Sequence, residues 1–512
     1  MQTTFPDLDT SGRLNTKGPF NKISDFLNAV NNARAGDLII LANGSYNVEG
    51  DTSFNGRRGT ARNPIIVTAE DVGGAILKGS PGYRFENCEH FTWYGFIHAA
   101  KSARENDNIS FRGGSNNRFA RCEVKLDDGD NTNKRHWLRI SNCRSMKVDH
   151  CFFHHKKSVG QFCNVGFDQD NKHGEGPLFE YNHFQHQDYN LIVGNDNIGD
   201  AGGEAIQMGD SKLCRWYFRS IVRYNYFEEC NGDGEMITNK SSGNIYYNNS
   251  FMNTLGTMTL RHGDSTAILG NYFEACGLRV GGRGNLIANN HFTKNSTRTA
   301  QRRPLVLSTG DWEQDPDKKF NENMQGAHWE RVVNNNIILN TFANGDGTAG
   351  SIMLWGRDEG PLKPTGNKFK GNIITARNGR LLEFGDNVTA SGNEISDNIG
   401  FITGSADYGR LTEEMAIRKD PLLTRDDNDG IFQLQSGSPA RNKFTGMPFS
   451  SLTTVDIYGV DRSGNTDAGC YQLSTASTRP KKRITTADVG PKAKTDLGDS
   501  PVWNPQPINR RD

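Results

Sequence analysis

Apolar residues recur along the chain in short runs that are separated by polar turns. Residues 19–34 carry four apolar side chains at the spacing i, i+3, i+4, i+7, which places them on one stripe of an amphipathic helix. These four are Ile23, Phe26, Leu27 and Val30. Short strands are predicted directly after this helix, at Leu38–Leu41 and at 64–68. A helix in this position could cover the exposed first rung of a stack of strands.

The strongest pattern is an asparagine followed two residues later by phenylalanine or a branched apolar residue. The copies are Asn182-His-Phe184, Asn225-Tyr-Phe227, Asn249-Ser-Phe251, Asn271-Tyr-Phe273, Asn290-His-Phe292, Asn336-Ile-Ile338 and Asn372-Ile-Ile374. From Phe227 to Phe292 the pattern returns at nearly regular steps, at Phe251 and again at Phe273. Such steps are typical of a solenoid, in which stacked coils build a continuous core and a stacked asparagine satisfies backbone groups at one corner.

We therefore predict an all-β protein, a right-handed parallel β-helix of single-stranded solenoid type with an N-terminal capping helix and long loops. Few leucines stand at fixed positions, which excludes leucine-rich repeats, and blade repeats of about 40 residues would be too long. The predicted organisation is a β-helix domain over 1–405, C-terminal coils and a cap over 406–475, and an extended tail over 476–512. Polar insertions at 195–203 and 308–317 lie where the repeat is interrupted, and long loops on a rigid scaffold often carry binding residues.

Charge and composition limit the possible partners. Lysine plus arginine and aspartate plus glutamate both number 59, so the formal net charge is zero and no overall field favours nucleic acid or a membrane surface. No run of about 18 apolar residues predicts a membrane span. The nine cysteines lack a C-x-x-C spacing, so we expect buried thiols, with one disulfide as an open alternative. The oligomeric state cannot be inferred.

Two polar strings do not fit the needs of a solenoid. Residues 231–244 include Asn239-Lys240-Ser-Ser, and residues 257–264 include Leu260-Arg261-His262-Gly263. The separation of Lys240 and Arg261 along the chain is close to one repeat step, so we expect them on one face of neighbouring coils. Asp233 and Glu235 alternate on a strand and therefore point to the same side.

These strings resemble the signature of polysaccharide lyase family 6, which contains alginate lyases and chondroitinase B. The resemblance covers most of the chain. It also includes Ile40-Leu-Ala-Asn-Gly44, Gly59-Thr-Ala-Arg-Asn-Pro64, His154-His-Lys-Lys157 and Asp467-Ala-Gly-Cys-Tyr471. The resemblance implies β-elimination of a uronate-containing polysaccharide, with Lys240 as the base and Arg261 as the acid. It also implies that Asp233 and Glu235 hold calcium.

The chemistry of the residues is consistent with these implied roles. Removal of the C5 proton of a uronate needs a neutral amine as base and positive charge near the carboxylate. Carboxylate and amide oxygens are the ligands that calcium prefers. Where the family has an asparagine, this chain has Ala201 in Ala201-Gly-Gly-Glu204, so Ca2+ would need a third ligand from Asn231, Asp200, Glu204 or water.

Further cationic and aromatic side chains could bind an anionic sugar chain, because guanidinium groups bind carboxylates with two parallel hydrogen bonds. We expect substrate contacts from His262, Arg279, Arg283, Arg302, Arg303 and Tyr224. The same arginines could instead form surface ion pairs, and Asp233 and Glu235 could pair with cations without a metal.

Three functions remain open. The leading hypothesis is an alginate lyase, the rival within the class is a dermatan sulfate (chondroitin B) lyase, and a different class is a β-helix protein that only binds glycans. The expected partner is an anionic polysaccharide, and no nucleic acid or membrane partner is expected. The chain begins without a signal-peptide pattern. It is therefore either made in the cytoplasm or derived from a mature chain whose signal was removed, and we expect a secreted or periplasmic protein. Mannuronate or guluronate preference and endo or exo action are not readable from the sequence.

Overall fold

The computed structural model describes most of the chain. The described residues are 7–8, 15–101, 107–126, 136–167, 176–188, 202–254, 256–294, 303–313, 328–344, 352–354, 361–385, 388–444, 451–462, 466–474, 479–494, 496–499, 501–502 and 505. The chain folds into two compact units. The first unit comprises 1–209, 218–236 and 485–496, and the second comprises 210–217, 237–484 and 497–512.

The predicted helix is present, but it follows a first strand, Asn15–Phe20, instead of preceding all strands. The helix spans Ile23–Asn31, inside the predicted 19–34, and buries Phe26 and Val30. The Phe26 ring lies 6.2 Å from Trp93 and 6.0 Å from Phe96. The apolar stripe of the helix therefore packs on the interior of the first coils, as the i, i+3, i+4, i+7 pattern predicts.

The strands of the first unit form three sets, and the strands within each set pair in parallel. One set is Asn15–Phe20, Asp37–Leu41, Ile65–Ala69, Phe91–Tyr94, Arg118–Ala120, Lys147–Asp149, Leu178–Glu180 and Ile221–Arg223. The second is Gly44–Asn55, Ala75–Glu86, Ile97–His98, Glu123–Val124, Phe152–Lys156, His183–Asp188 and Tyr226–Asn231. The third is Ile109–Arg112, Leu138–Ser141, Cys163–Gly166 and Ile206–Gly209. Ala75–Glu86 also pairs with Ile109–Arg112 and so belongs to two sets.

The second unit repeats this arrangement on three faces. Face A is Ile245–Tyr247, Ala267–Leu269, Leu286–Ala288, Asn336–Ile338, Lys368–Lys370 and Glu394–Ser396. Face B is Ser250–Met252, Tyr272–Glu274, His291–Thr293, Thr341–Asn344, Ile373–Ala376, Asn398–Ile402 and Ala416–Arg418. Face C is Glu235–Lys240, Thr257–His262, Leu278–Val280, Leu305–Leu307, Ile352–Leu354, Arg380–Phe384 and Asp407–Gly409. Glu235–Lys240 begins in the first unit and ends in the second.

Each turn of the chain thus contributes one short strand to each face, and each strand pairs in parallel with its counterpart on the next coil. This is the predicted right-handed parallel β-helix. The remaining elements among the described residues are an antiparallel pair, Leu423–Arg425 with Phe432–Leu434, and short 3-10 helices at Ser211–Leu213, Ser451–Thr453 and Thr486–Asp488. Among the described helices, none has both the length and the apolar composition needed to span a bilayer.

The repeat positions stack inside the second unit as predicted. The rings of Phe251, Phe273 and Phe292 follow one another at centroid distances of 4.7 and 4.5 Å. Beside them, buried asparagines form a ladder in which each side-chain amide donates to the Oδ1 of the next at 3.0 to 3.1 Å. Its members are Asn249, Asn271, Asn290, Asn340, Asn372 and Asn398. The ladder satisfies buried amides that no sheet hydrogen bond reaches.

One copy of the repeat was assigned wrongly from the sequence. Asn336–Ile338 lies on face A, where it pairs with Leu286–Ala288. The true counterpart of Phe292 is Phe342, which stacks on it at 4.8 Å. The inserted residues between these coils conceal the register, because the step is then far longer than one coil.

The C-terminal residues pack along the side of the second unit. The backbone N–H of Phe432 donates to His291 (3.0 Å), and that of Cys470 donates to Thr341 (3.0 Å). Arg462 is buried and donates to Asn289 (3.0 Å). The tail also contains buried positions, such as Ile484.

All nine cysteines are buried free thiols. Burial raises the pKa of Cys88 to about 11 and that of Cys143 to about 12. The expectation of buried thiols is therefore confirmed, and none forms the disulfide that the sequence left open.

Candidate active site

Two cationic side chains lie at the ends of neighbouring strands of face C. Lys240 is the last residue of Glu235–Lys240, and Arg261 is the penultimate residue of Thr257–His262. The two strands are hydrogen-bonded neighbours, and both side chains are half-buried. The positive charges of both act on His262. The structure therefore brings together the lysine and the arginine that are one repeat step apart in the sequence, while their catalytic roles stay a prediction.

A buried polar network fixes the turn that follows Lys240. The Nδ2 of Asn244 and the hydroxyl of Tyr246 both donate to Oδ1 of Asn239, at 2.8 and 3.0 Å. The Nδ2 of Asn239 donates to the carbonyl of Ser241 (2.8 Å). These side chains are buried. Because the network satisfies its own polar groups, it holds the backbone around Lys240 in one conformation.

His262 does not lie on the exposed side of its strand, which corrects the expectation that it contacts substrate. Its side chain is fully buried, because the alternation along the strand turns it inward where Arg261 turns outward. Burial lowers the pKa of His262 to about 4. The imidazole is therefore neutral, and its Nε2 donates to the carbonyl of His328 (2.8 Å), since a carbonyl only accepts.

A buried glutamate that sequence reasoning missed supports the same strand. The carboxylate of Glu330 is 0 % exposed and accepts the backbone N–H of Gly263 (2.8 Å). Its negative charge also acts to raise the pKa of the neighbouring His262. Residues 314–327, which precede this segment, are outside the described residues. The string 329–331 follows no repeat spacing, so the repeat pattern did not point to it.

Arg279 and Arg261 meet at one tryptophan. Arg279 lies on Leu278–Val280 with its guanidinium carbon 3.3 Å from the ring centroid of Trp329, and that of Arg261 is 4.2 Å away. Arg279 is buried, and its Nε donates to Oγ of Ser308 (2.9 Å). The predicted cationic group thus includes Arg279 beside Arg261.

The other predicted arginines have acidic partners. Arg283 forms an ion pair with Glu313, and Arg303 forms one with Glu383 at 2.6 Å. Each charge is thereby largely neutralised, which favours the ion-pair interpretation of these two residues over substrate contact. Arg302 is outside the described residues.

Tyr224 is misplaced as a substrate contact. Its side chain is 0 % exposed and stacks on Tyr181 at 5.3 Å in the first unit. The residue follows the strand Ile221–Arg223 at a corner with a positive φ of 56°. This backbone conformation directs the ring into a stack of buried side chains at the corner, where it is not accessible to a sugar.

The predicted metal residues form a crowded acidic group in the first unit. Burial, together with the negative charges of Glu204 and Glu235, raises the pKa of Asp233 to about 7. The backbone N–H groups of Gly202 (3.0 Å) and Glu235 (3.1 Å) donate to Asp233. Gln161 donates to Glu204 (2.5 Å). The oxygens of these three carboxylates do not all come within 4.8 Å of one another, but their charges repel, and a hard divalent cation would offset this repulsion.

The oxygen ligands of this acidic group are of the kind that calcium prefers. Of the other candidate ligands, only some belong to the described residues. Asn231 is half-buried, whereas Asp200 and Ala201 lie outside the described residues. Within the described part of the chain, one trio of ligating side chains comes within 4.8 Å: Asp7, Asp149 and His150. Asp7 and Asp149 of that trio both pair with Arg118, so ion pairs account for this cluster.

Comparisons with known proteins bear on the family and the fold. The sequence matches the family described as Chondroitinase B over residues 21–349. A search of curated proteins by sequence found no match.

Solved structures provide the fold comparison. A variant of the alginate lyase AlyGC, of polysaccharide lyase family 6, is similar with a TM-score of 0.70 and 21% identity, covering 92% of this chain and 58% of that one. A mannuronic acid-specific family 6 lyase from human gut microbiota has a TM-score of 0.63 and 22% identity, covering 76% and 86%. The family 6 lyase Pedsa3628 from Pseudopedobacter saltans has a TM-score of 0.56 and 19% identity, covering 80% and 96%.

The chain thus spans 58% of the length of the AlyGC chain. At these identities the structural similarity shows only the fold, whereas the match to the family model shows the family. The match covers well over half of the residues and includes both polar strings and both strands that carry Lys240 and Arg261. The chain belongs to the chondroitinase B family of polysaccharide lyases, polysaccharide lyase family 6.

Proposed function

We propose that this protein cleaves a uronate-containing polysaccharide, specifically alginate, by β-elimination, and so leaves a 4,5-unsaturated sugar at the new non-reducing end. The observation that carries the proposal is the placement of Lys240 and Arg261 at the ends of adjacent strands of face C. One amine and one guanidinium on neighbouring coils can reach the same sugar, because paired strands lie roughly 5 Å apart.

In the proposed reaction, the neutral amine of Lys240 accepts the C5 proton of the uronate. The electrons of the C5–H bond form the C4=C5 double bond, and the C4–O bond to the preceding sugar breaks. Arg261 donates hydrogen bonds to the departing oxygen, which takes up a proton from solvent water as it leaves. Arg279 binds a carboxylate of the polysaccharide, since its guanidinium offers several hydrogen-bond donors in a fixed plane.

Calcium is part of the proposal as a cofactor of the acidic group. Asp233 and Glu235 would hold it, with Glu204 or Asn231 as a further ligand in place of the side chain that Ala201 lacks. When bound, the ion would supply positive charge that offsets the charge of a uronate carboxylate.

Alginate is preferred because the similar solved structures are described as alginate lyases, one of them in complex with a trisaccharide. The family description favours a second candidate, a dermatan sulfate lyase. Both polymers carry uronates, and both would bind the same cationic side chains. The anionic polymer is the proposed partner, and a secreted or periplasmic location is proposed because such polymers lie outside the cytoplasm.

The test is incubation with alginate and, in parallel, with dermatan sulfate. A lyase produces a conjugated double bond that absorbs ultraviolet light, and the polymer that gives the signal identifies the substrate. Binding of either polymer without new absorbance would instead assign the protein to glycan-binding β-helix proteins. Product analysis on alginates of defined block composition would then give the mannuronate or guluronate preference.

A further inference from the structure

We infer that Trp329 is a positioning residue for the proposed reaction: its indole holds the guanidinium groups of Arg261 and Arg279 in the orientation that the uronate chain requires. This inference rests on the proposed lyase function. The guanidinium carbons lie 4.2 and 3.3 Å from the ring centroid of Trp329. The tryptophan is 4 % exposed and Arg279 is 6 % exposed, so the contact between these two side chains is largely shielded from water.

The backbone around Trp329 is held from several sides. Its N–H donates to Oδ1 of Asp311 at 2.6 Å. The carbonyl of His328 accepts from His262, and the carboxylate of Glu330 accepts from Gly263, both at 2.8 Å. The residues on either side of the tryptophan are thus tied to the strand end that carries Arg261. The ring therefore has a fixed position relative to this strand.

The fixed indole of Trp329 offsets two effects that would otherwise disperse the side chains of Arg261 and Arg279. Two arginines with like charge repel each other, and each has a long side chain with many rotamers. The negative face of an indole attracts both cations and restricts their rotamers. A guanidinium that contacts an aromatic ring through its flat face keeps in-plane N–H groups available for paired hydrogen bonds with a carboxylate.

The first test compares Trp329→Leu with Trp329→Phe. Both variants keep an apolar side chain, but only phenylalanine keeps an aromatic face. We expect Trp329→Leu to lower kcat/KM by roughly ten- to thirtyfold, the size expected from losing shielded cation–π contacts. Its KM should rise through Arg279, and its kcat should fall through Arg261. Trp329→Phe should recover most of the loss.

Tyr408→Leu is the matched control, because it removes a ring that lies 4.4 Å from the guanidinium of Arg418. Tyr408 lies on Asp407–Gly409, a strand of face C that is several coils away from the strands that carry the site. This variant should retain the activity of the unchanged protein. Thermal unfolding of all variants separates positioning from packing. A packing role alone would lower Tm and the active fraction in both Trp329 variants without raising KM.

A double-mutant cycle with Arg279→Ala gives the second test. If Trp329 acts through Arg279, the loss in the double variant should fall clearly short of the product of the two single losses. Multiplying losses, or equal activity of the leucine and phenylalanine variants, would overturn the inference while the lyase assignment stands. An unchanged protein that forms no unsaturated product from any uronate polymer would instead overturn the proposed function, and the role of Trp329 with it.

Discussion

The amine of Lys240 is the general base of the proposed mechanism. Replacement of Lys240 by methionine keeps the apolar stem of the side chain and removes the proton acceptor. We expect the formation of unsaturated product to fall by at least about a hundredfold, as is usual for loss of a general base. Because Lys240 is only half-buried, the Tm of the variant should stay close to that of the unchanged protein.

Lys294→Met is the control for this prediction. Lys294 follows a strand of face B and pairs with Glu274 at 2.8 Å, so it carries the same charge in a structural setting. Its replacement should leave the rate unchanged. Full activity of the Lys240 variant would contradict the assigned base.

The crowded carboxylates around Asp233 lead to a prediction about calcium. If the group binds calcium, the ion should raise the Tm of the protein, because a ligand that binds only the folded state stabilises it. Asp233→Asn removes one charged ligand and should abolish most of this shift. Calorimetric titration of calcium into the chelator-treated protein measures the same loss directly.

Glu394→Gln serves for comparison, since Glu394 is an exposed carboxylate paired with Lys370 (2.7 Å). That variant should bind calcium as the unchanged protein does. An unchanged protein whose Tm does not respond to calcium would count against the metal.

Among the structural elements, the asparagine ladder of the second unit should be the most sensitive to a small change. Asn290 accepts from the backbone N–H and the Nδ2 of Asn271, and donates to Asn340 and to the carbonyl of Ile268. Asn290→Ala leaves buried groups on its neighbours unsatisfied, each costing about 1–3 kcal/mol. Denaturant unfolding should show a loss of several times that measured for Asn428→Ala, which changes an exposed turn.

These elements also show how far the fold follows from the sequence. The helix and the aromatic stack were predictable because each depends on a local spacing that burial imposes on every coil. Asn336 was misassigned because face A also carries apolar triplets, and an insertion before it hides the step. Nothing in a repeat pattern distinguishes one face from another when the coil length is not constant.

The candidate site was predictable only where it follows the repeat. Lys240 and Arg261 were correctly predicted to lie on neighbouring coils because their separation along the chain corresponds to one coil, while their roles stay a prediction. Trp329 and Glu330 were missed because they return to the site after a long insertion. Tyr224 was misjudged because its left-handed backbone at a corner, which the sequence does not reveal, decides where the ring points.

For the protein as a whole, buried histidines predict sensitivity to acid. Burial lowers the pKa of His98 and His291 to about 3, and that of His183 and His262 to about 4. Below about pH 6.5 the unfolded chain binds protons that the folded protein does not. Stability should therefore be fully present above pH 6.5 and fall as the pH decreases toward 4.

Tm measured between about pH 7.5 and 4.5 tests this prediction, at up to about 1.4 kcal/mol of unfolding free energy per pH unit for each histidine. His98→Phe retains a ring among its aromatic neighbours and cannot titrate. It should show a shallower decline of Tm with acid than the unchanged protein, whatever its Tm at neutral pH. Identical slopes for both proteins would show that this histidine does not contribute.

The nine buried free thiols bear on how the protein behaves under reducing conditions. No covalent cross-link holds the coils, so the protein should fold equally well in a reducing cell and remain intact in the presence of dithiothreitol. Each sulfur becomes reachable only when its own coil opens, since alkylating reagents need access and a thiolate. Timed alkylation followed by mass spectrometry would therefore rank the coils from Cys88 to Cys276, and the C-terminal segment at Cys470, by how readily each one opens.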